Sequence, residues 1–547
     1  MSDTAGRDTE LGLLRQALKA TIEGHGVSIL LTGAPGIGKS WLVDRLVQTA
    51  LDCGIDVVTA TASPPNALRP FGFVIDLLNH YEAGTGEWRD ELVEAASLVP
   101  SIAKELFPNQ PPPIPTSDDP GQDRALYLAR ISRLITKAQT DQGLLVCLDD
   151  AHLADSGSVQ FLSLLAARND QARIMIVAAY DTDETGDTAN SSISTQEELK
   201  RHGHVRAVRL NPLDVAATRT VVDSRFPRNS FSLGMIRFIH HRTGGIPLAV
   251  VQFMDSLSEK GQIKEIGGSW VADDLTGLIS GGLVSAREVI RERLERLSGS
   301  NRKVLGHASA QGEVFLARVV AKTLGRTNRR VTDALTSLLS KTGAFRAIRP
   351  GVFRFIHPVV TDVCLKMLPA AERKNVHLRL AEFYSETSLS PSLVAHHFYS
   401  AEDYQRAIDP FIITARLAFE AGLYVEATAA IERAESSVIK VGTIRVPTQH
   451  LDVMCLKSNI AAECEDYLAG KEAASLVLSH SSVTPEQRAK ALLNLGIAYR
   501  GNARFEAALD ALTQARLLYE ELGDSRFVAE AELLCTQEVL RGRKDRG

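Results

Sequence analysis

An eight-residue glycine-rich segment, Gly33–Ser40, constrains this chain more than any other part of its sequence. It reads GAPGIGKS and fits the pattern G-x-x-x-x-G-K-[ST] without a mismatch. The short apolar run Val27–Leu31 precedes it, and apolar residues at helical spacing follow it between positions 41 and 47. This order predicts a buried strand, a glycine loop and a helix, which is the context that a phosphate-binding loop requires.

Each part of this loop has a chemical reason. Gly33, Gly36 and Gly38 lack a Cβ atom, so the backbone can curl and direct its N–H groups at phosphate oxygens. Lys39 adds a cation for the β- and γ-phosphates, and Ser40 offers a hydroxyl to Mg²⁺. The loop therefore predicts ATP or ADP as the cofactor, together with Mg²⁺.

The composition favours a cytoplasmic protein of several domains. A length of 547 residues predicts three or four domains, and an apolar content of 44% is enough for packed cores. The six cysteines are scattered without a C-x-x-C pair, which argues against a zinc site and for a reducing compartment. We see no signal peptide and no apolar run of ~20 residues, so we expect no membrane association.

A second apolar run, Leu144–Leu148, ends in two adjacent acids, Asp149 and Asp150. A carboxylate at a strand tip beside a phosphate-binding loop usually holds Mg²⁺, often through water, and Asp149 fits that role. Asp150 would then act as the general base that polarises an attacking water. The alternative is a solvated acidic loop with no role in catalysis.

Strand and helix patterns alternate over the first 210 residues, which predicts a parallel sheet covered by helices on both faces. From residue 211 onward the strand signals nearly vanish, apart from one short extended piece at Val352–Ile356. The five candidate strands are Val27–Leu31, Val57–Ala60, Leu144–Leu148, Ile174–Ala179 and Val205–Leu210.

The last part of the chain contains an internal repeat. Small and large residues near its end match the spacing of a tetratricopeptide repeat, in which small residues let two helices cross closely. Weaker copies of the small-residue spacing start near Ala415 and Ala462. An alanine-rich helical hairpin is the alternative interpretation. The residues that match most clearly are Leu492, Leu495, Gly496, Tyr499, Ala508, Leu512 and Ala515.

Together these motifs resemble the signal-transduction ATPases with numerous domains, and among them the large LuxR-type ATP-binding regulators of bacteria. The resemblance extends over nearly the whole chain. Four segments carry it besides the phosphate-binding loop: Gly6–Leu11 (GRDTEL), Asp149–Asp155 (DDAHLAD), Gly244–Ala249 (GGIPLA) and Phe355–Pro358 (FIHP).

The resemblance implies a role for three further residues. Arg7 would lie near the adenine, and Pro247 would pack beside the nucleotide. His357 would reach the β-phosphate of ADP in the resting state. It also implies an AAA-like P-loop domain at 1–210, an all-α lid at 211–295, a winged-helix domain at 296–385 and tetratricopeptide-like repeats at 386–547.

The chain departs from this family pattern in two places. The family commonly ends its sensing strand with Tyr-Arg, whereas here Tyr180 is followed by Asp181, an acid that would repel phosphate. The C-terminal helix-turn-helix of the LuxR-type members is not visible. We therefore expect slow hydrolysis and no specific DNA binding by this chain alone.

The predicted function is an ATP/ADP-dependent conformational switch in signal transduction, with control of transcription through a further or separate output domain. The helical repeats would receive an unknown inducer or protein partner, and nucleotide exchange would drive self-association. Three alternatives stay open: a turnover-driven ATPase, a DNA-binding protein similar to replication initiators, and a pseudo-ATPase scaffold that binds nucleotide without hydrolysis.

Overall fold

A computed structural model of the full chain describes residues 6–62, 68–80, 87–99, 102–103, 106–107, 120–138, 142–168, 172–182, 205–272, 286–387, 390–445 and 447–544. The chain divides into two compact units. The first falls within residues 1–67, 71–95 and 128–380, and the second within 68–70, 96–127 and 381–547. No helix in the described part of the chain is both long enough and apolar enough to span a bilayer.

A five-stranded parallel sheet organises the first unit. Its strands are β1 (Val27–Gly33), β2 (Asp56–Thr61), β3 (Leu144–Asp149), β4 (Ile174–Asp181) and β5 (Val205–Arg209), in the spatial order β2-β3-β4-β1-β5. This confirms the five strands expected from the sequence. Because all five run parallel, their carboxyl ends meet at one edge of the sheet.

Helices around this sheet bury its apolar side chains. One core includes Ile29 and Leu31 of β1 and Val177 of β4, packed against the first two helices. Cys147 of β3 belongs to the same core, and burial raises the pKa of its thiol, so it is a structural cysteine. The helices are α1 (Asp8–Ile22), α2 (Lys39–Asp52), α3 (Gly72–His80), α4 (Glu87–Ala96), α5 (Pro120–Ala138) and α6 (Ser156–Ala167).

The segment after β5 is mainly helical, but it also contains a short antiparallel hairpin. The hairpin strands β6 (Ile263–Ile266) and β7 (Ser269–Ala272) are joined by Gly267 and Gly268, both in the left-handed region that glycine adopts freely. Four-residue strands are too short for a periodic pattern to reveal, so the sequence predicted only helices here. Those helices are α7 (Val215–Arg225), α8 (Leu233–Thr243), α9 (Pro247–Glu259) and α10 (Ala286–Glu295).

The remaining part of the first unit combines helices with a three-stranded antiparallel sheet in the order β8-β10-β9. A helix, a strand, two helices and a hairpin follow one another, which is the topology of a winged helix. Of its strands, the sequence indicated only β10. The elements are α11 (Gly299–Ser309), β8 (Val314–Leu316), α12 (Ala317–Leu324), α13 (Asn328–Thr342), β9 (Phe345–Arg349), β10 (Val352–Phe355) and α14 (Pro358–Lys366).

From residue 370 onward the described chain forms α-helices, with one short 3₁₀ turn at Thr443–Arg445. Consecutive helices pack against each other, and glycine allows a close crossing: a Cβ atom on Gly496 would lie 2.6 Å from Cγ of Leu512. This agrees with tetratricopeptide-like repeats. The helices are α15 (Ala370–Glu386), α16 (Pro391–Ser400), α17 (Tyr404–Glu420), α18 (Tyr424–Val441), α19 (Pro447–Glu463), α20 (Tyr467–Ser479), α21 (Pro485–Gly501), α22 (Phe505–Leu522) and α23 (Ser525–Lys544).

Candidate functional site

The glycine-rich loop connects β1 to α2 at the carboxyl edge of the sheet. Gly36 and Gly38 have φ angles of 77° and 105°, a backbone conformation that favours glycine. Gly33 is required for space instead, since a Cβ atom there would lie 2.9 Å from Ile37 and 3.1 Å from the Leu210 carbonyl. The loop is therefore built by its glycines, and α2 begins directly at Lys39 with its positive dipole end towards the loop.

A cavity of about 440 Å³ lies over this loop, and its walls come from the loop and the sheet edge, from α7 and α9, and from residues between 313 and 358. Gly33 and Asp149 are not among the residues that line it. Eight of the residues predicted from the sequence do line it, namely Arg7, Gly36, Gly38, Lys39, Ser40, Asp150, Pro247 and His357.

Lys39 is engaged by the protein itself. Its ammonium group donates hydrogen bonds to the carbonyls of Gly33 at 2.8 Å and Ala34 at 3.1 Å, and it forms an ion pair with Asp181. An ammonium group has three donors, so these three acceptors occupy them all. The neighbouring Tyr180 is fully buried, and it is Asp181 that lines the cavity. A phosphate must therefore replace at least one protein acceptor to reach Lys39.

The two acids at the tip of β3 have different surroundings. One oxygen of Asp149 accepts a hydrogen bond from the backbone N–H of Asp150 at 3.1 Å, and the other lies 3.6 Å from the Arg354 guanidinium. Asp150 has a φ of 51°, which is unusual for a residue with a side chain and is the kind of strain found at functional sites. This conformation turns Asp150 into the cavity, whereas Asp149 faces Arg354.

The carboxylates at this edge repel one another. Burial raises the pKa of Asp150 to about 8, and the nearby charges of Asp149, Glu313 and Asp181 add to the effect. Burial also raises the pKa of Glu313, which Arg354 partly offsets from 3.4 Å. This end of the cavity therefore favours ligands that bring positive charge.

Six charged residues that line the cavity were not predicted from the sequence, namely Asp44, Arg225, Asp255, Glu313, Arg346 and Arg354. Arg354 of β10 donates to Thr61 at 2.7 Å besides facing Asp149 and Glu313, and Arg346 of β9 pairs with Asp44 of α2 at 2.8 Å. The contact of Arg354 with Thr61 and that of Arg346 with Asp44 join residues 293 and 302 positions apart, so no local sequence pattern could predict them. The adjacency of Arg354 to the FIHP motif is the one sequence signal that could have identified it.

Arg7, just before α1, is held against the glycine loop by hydrogen bonds. Its guanidinium donates to the carbonyl of Ile37 at 3.0 Å and of Asn211 at 2.7 Å, and it pairs with Glu10 at 2.9 Å. The side chain is buried, so these bonds are shielded from water. Arg7 therefore links the glycine loop to the segment after β5, at the wall of the cavity.

The GGIPLA segment brings α9 against the loop. Gly245 has a φ of 69°, and a Cβ atom there would lie 2.3 Å from the Leu213 carbonyl, so no other residue fits. Pro247 occupies the first turn of α9, where its missing N–H is harmless. The N–H of Leu248 donates to the Gly36 carbonyl at 3.2 Å. The motif thus positions Pro247 beside the glycine loop.

His357 caps α14 and faces the cavity. Its Nδ1 accepts a hydrogen bond from the N–H of Val359 at 3.1 Å, so the proton of the neutral ring resides on Nε2. Burial lowers the pKa of His357 to about 4, and the ring is neutral at pH 7. An Nε2–H group is a hydrogen-bond donor, which is what contact with a phosphate oxygen requires.

The last acid of the DDAHLAD segment has a structural role. The Asp155 carboxylate accepts hydrogen bonds from the N–H groups of Phe71 at 2.9 Å, Gly72 at 3.0 Å and Ser158 at 3.0 Å. These bonds cap α6 and fix the start of α3 beside it. Asp155 therefore joins the start of α3 to the start of α6 and does not line the cavity.

Residues 4–177 match the model of the AAA ATPase domain family. No curated protein matches the chain. A signal transduction ATPase with numerous domains and a tetratricopeptide repeat sensor, from Pyrococcus horikoshii, is similar at 13% identity and a TM-score of 0.38, over 96% of this chain and 80% of that one.

Two further solved structures are similar over shorter spans. The Drosophila ORC bound to DNA shares 13% identity at a TM-score of 0.29, over 65% of this chain and 85% of that one. RuvB of Thermotoga maritima shares 14% identity at a TM-score of 0.27, over 64% and 92%. These values are too low to support an argument about function.

Proposed function

We propose that this chain is a nucleotide-dependent switch that binds ATP or ADP in the cavity of its first unit and acts in signal transduction. One observation carries the proposal. The phosphate-binding loop, Arg7, Pro247 and His357 line a single cavity, although they are separated by up to 350 positions in the chain. A ligand in that cavity would contact the glycine loop, the helices α7 and α9, and residues between 313 and 358, so its identity can change how these parts are held together.

The phosphate end has suitable residues for a nucleotide with Mg²⁺. The backbone N–H groups of the loop and Lys39 would hold the phosphates, and Ser40 with Asp149 would hold the metal ion. Bound Mg²⁺ would neutralise phosphate charge during transfer. Asp149 does not line the cavity, but the next residue, Asp150, does. This position suits a carboxylate that holds Mg²⁺ through a bridging water. Asp150 faces the cavity, and a bound cation that lowered its raised pKa would let its carboxylate accept a proton from water.

Hydrolysis in this site should be slow. Asp181 competes with phosphate for Lys39, and its charge opposes the charge that develops on the γ-phosphate. This ion pair is the observation that favours the second candidate, a pseudo-ATPase scaffold that binds nucleotide and never hydrolyses it. The two candidates differ in single-turnover hydrolysis of bound ATP, which the slow enzyme carries out and the scaffold does not.

His357 would hold the resting state. We propose that its Nε2–H donates to the β-phosphate of ADP, so that the segment containing α14 closes on bound ADP and opens on exchange. The helical repeats would receive an inducer or protein partner, the open form would self-associate, and the output would be control of transcription through a further domain or partner. The resemblance of the motifs to the LuxR-type regulators supports this last step.

The proposal is tested by Lys39→Ala. The substitution removes the one cation of the loop, and we expect ADP and ATP to bind about 100-fold more weakly, because a hydrogen bond to a charged group contributes about 1.5–3 kcal/mol. Isothermal titration calorimetry measures the affinity. Lys19→Ala, on the exposed face of α1, is the matched control and should change nothing. Equal affinities in wild type and a folded Lys39→Ala variant would refute the nucleotide site.

A further inference from the structure

Three side chains at the sheet edge converge on one point beside the glycine loop. Asp150, His152 and Asp181 each place one potential metal-ligand atom within 4.8 Å of the other two. Asp150 and His152 are buried, and the side chain of Asp181 is 18% exposed. A cation 2.0–2.2 Å from each ligand needs them no more than about 4.4 Å apart, so a small side-chain rotation completes the group.

Asp150 is the member that most needs a partner. The residue is only 8% exposed, and its carboxylate is aimed into the cavity. Among the described residues, its carboxylate accepts no hydrogen bond and contacts no cation. Lys39 is taken by Asp181, and Arg354 faces Asp149 and Glu313. A buried carboxylate without a partner is costly, and a divalent cation is the ligand that compensates it best.

His152 decides which cation fits. Mg²⁺ prefers a shell of oxygen ligands, whereas an imidazole with two carboxylates suits first-row transition metals such as Mn²⁺, Fe²⁺ or Zn²⁺. The N–H of Asp181 lies 3.4 Å from Nδ1 of His152, a long hydrogen bond that ties the ring to the tip of β4. The set shares no residue with Ser40 and Asp149, which are predicted to hold Mg²⁺.

We propose that Asp150, His152 and Asp181 bind a divalent transition-metal cation in the absence of nucleotide. This is a site separate from the Mg²⁺ that accompanies ATP. The bound cation takes the Asp181 carboxylate from Lys39 and leaves the ammonium group available. It also places positive charge at the tip of β4, where the family that the motifs resemble commonly has an arginine.

One consequence rests on the proposed nucleotide site. Because the cation releases Lys39 from Asp181, ADP should bind more tightly to the metal-loaded chain than to the metal-free chain. By linkage, ADP then raises the affinity for the metal by the same factor. The metal site itself does not depend on this coupling, so the two can fail separately.

The probe is Mn²⁺, followed by electron paramagnetic resonance of the free ion, with the full chain free of nucleotide and of any histidine tag. We expect one Mn²⁺ per wild-type chain. His152→Ala and the isosteric Asp181→Asn should each weaken binding at least tenfold. His241→Ala, an exposed histidine on α8, is the matched control and should bind as wild type does. Circular dichroism establishes that each variant is folded.

Ser40→Ala separates this site from the predicted Mg²⁺ site. It should leave nucleotide-free Mn²⁺ binding unchanged and weaken only the binding that requires ATP. The proposal is overturned if wild type binds no Mn²⁺ at millimolar concentration. It is equally overturned if Ser40→Ala abolishes nucleotide-free binding while folded Asp181→Asn retains it. Loss of ADP binding in calorimetry with intact Mn²⁺ binding would reject the nucleotide switch and keep the metal site.

Discussion

At the cavity, Asp181 pairs with Lys39, Asp149 and Glu313 share Arg354, and the largely buried Asp150 pairs with no cation in the described part of the chain. The crossing of α21 and α22 is apolar instead, with Gly496 lying against Leu512. In the first region, buried charges lower the stability of the fold, but they are available to interact with a ligand. The second gains stability from close packing and holds nothing for a ligand to compensate. The comparison indicates that uncompensated charge is typical of a ligand-binding site, whereas tight packing of small residues is typical of a structural scaffold. Substitutions in the two regions should therefore affect different measurements.

The largest effect that we expect is on turnover, from Asp150→Asn. The amide cannot accept the proton of the attacking water, and loss of a general base costs about 10²- to 10⁴-fold in rate. ADP affinity should stay within a few-fold, because the raised pKa of Asp150 already keeps its side chain largely uncharged at pH 7, so the amide changes the charge of the cavity little. Single-turnover hydrolysis and calorimetry measure the two. A rate equal to wild type would show that the acid at the cavity is not the base.

In the scaffold region, Gly496→Ala should destabilise the protein by about 1–3 kcal/mol, because its Cβ atom would lie 2.6 Å from Leu512. Gly470→Ala is the matched control in α20. Its Cβ atom would meet Ala461 at an ordinary 3.5 Å, so helix propensity should stabilise this variant by about 0.5–1 kcal/mol. Denaturant unfolding measures both. If both variants shift stability in the same direction, the small-residue crossing is not what holds α21 and α22 together.

Asp181→Asn tests whether the ion pair with Lys39 in the charged region competes with phosphate. The substitution frees Lys39 and removes a negative charge near the phosphates, so ADP measured in EDTA should bind about tenfold more tightly, equivalent to about 1.4 kcal/mol. Asp52→Asn, an exposed acid at the end of α2, changes the net charge equally and should have no effect. Unchanged or weaker ADP binding in Asp181→Asn would mean that the ion pair with Lys39 does not compete with phosphate.

The smallest effect concerns His307, a buried histidine outside the cavity. Burial lowers its pKa to about 4 from its usual 6.5, and its Nδ1 lies 3.0 Å from the Thr323 hydroxyl. The folded state therefore keeps the ring neutral. Its contribution to stability is complete above pH 6.5 and is lost as the pH falls from 6.5 to 4.

Each pH unit in that interval should cost up to about 1.4 kcal/mol of unfolding free energy. His307→Asn keeps a polar atom near the position of Nδ1 and does not titrate, so its stability should fall less steeply than that of wild type. Denaturation midpoints at pH 7, 6 and 5 test this. Parallel slopes in the two proteins would assign the acid sensitivity to other groups.

The sequence by itself determined the elements whose information is local. The loop at Gly33–Ser40 is contiguous, so its glycines and Lys39 could be assigned without a structure. The three central strands β1, β3 and β4 are mainly runs of apolar residues, because both faces of the sheet are buried there. The close helix crossing at Gly496 could also be predicted from the sequence, because each repeat packs against the repeats next to it in sequence.

Only the tertiary structure decided how the charges are paired. Lys39 pairs with Asp181 because the carboxyl ends of β1 and β4 lie at the same edge of the parallel sheet. Asp149 of β3 faces Arg354 because β10, in the three-stranded sheet, places Arg354 near that edge. The hairpin β6–β7 and the strand β8 are also tertiary outcomes, since segments of three or four residues carry too little pattern to be recognised. The physical reason is common to all of them: these interactions join positions far apart in the chain, and their energy arises only after the intervening chain has folded.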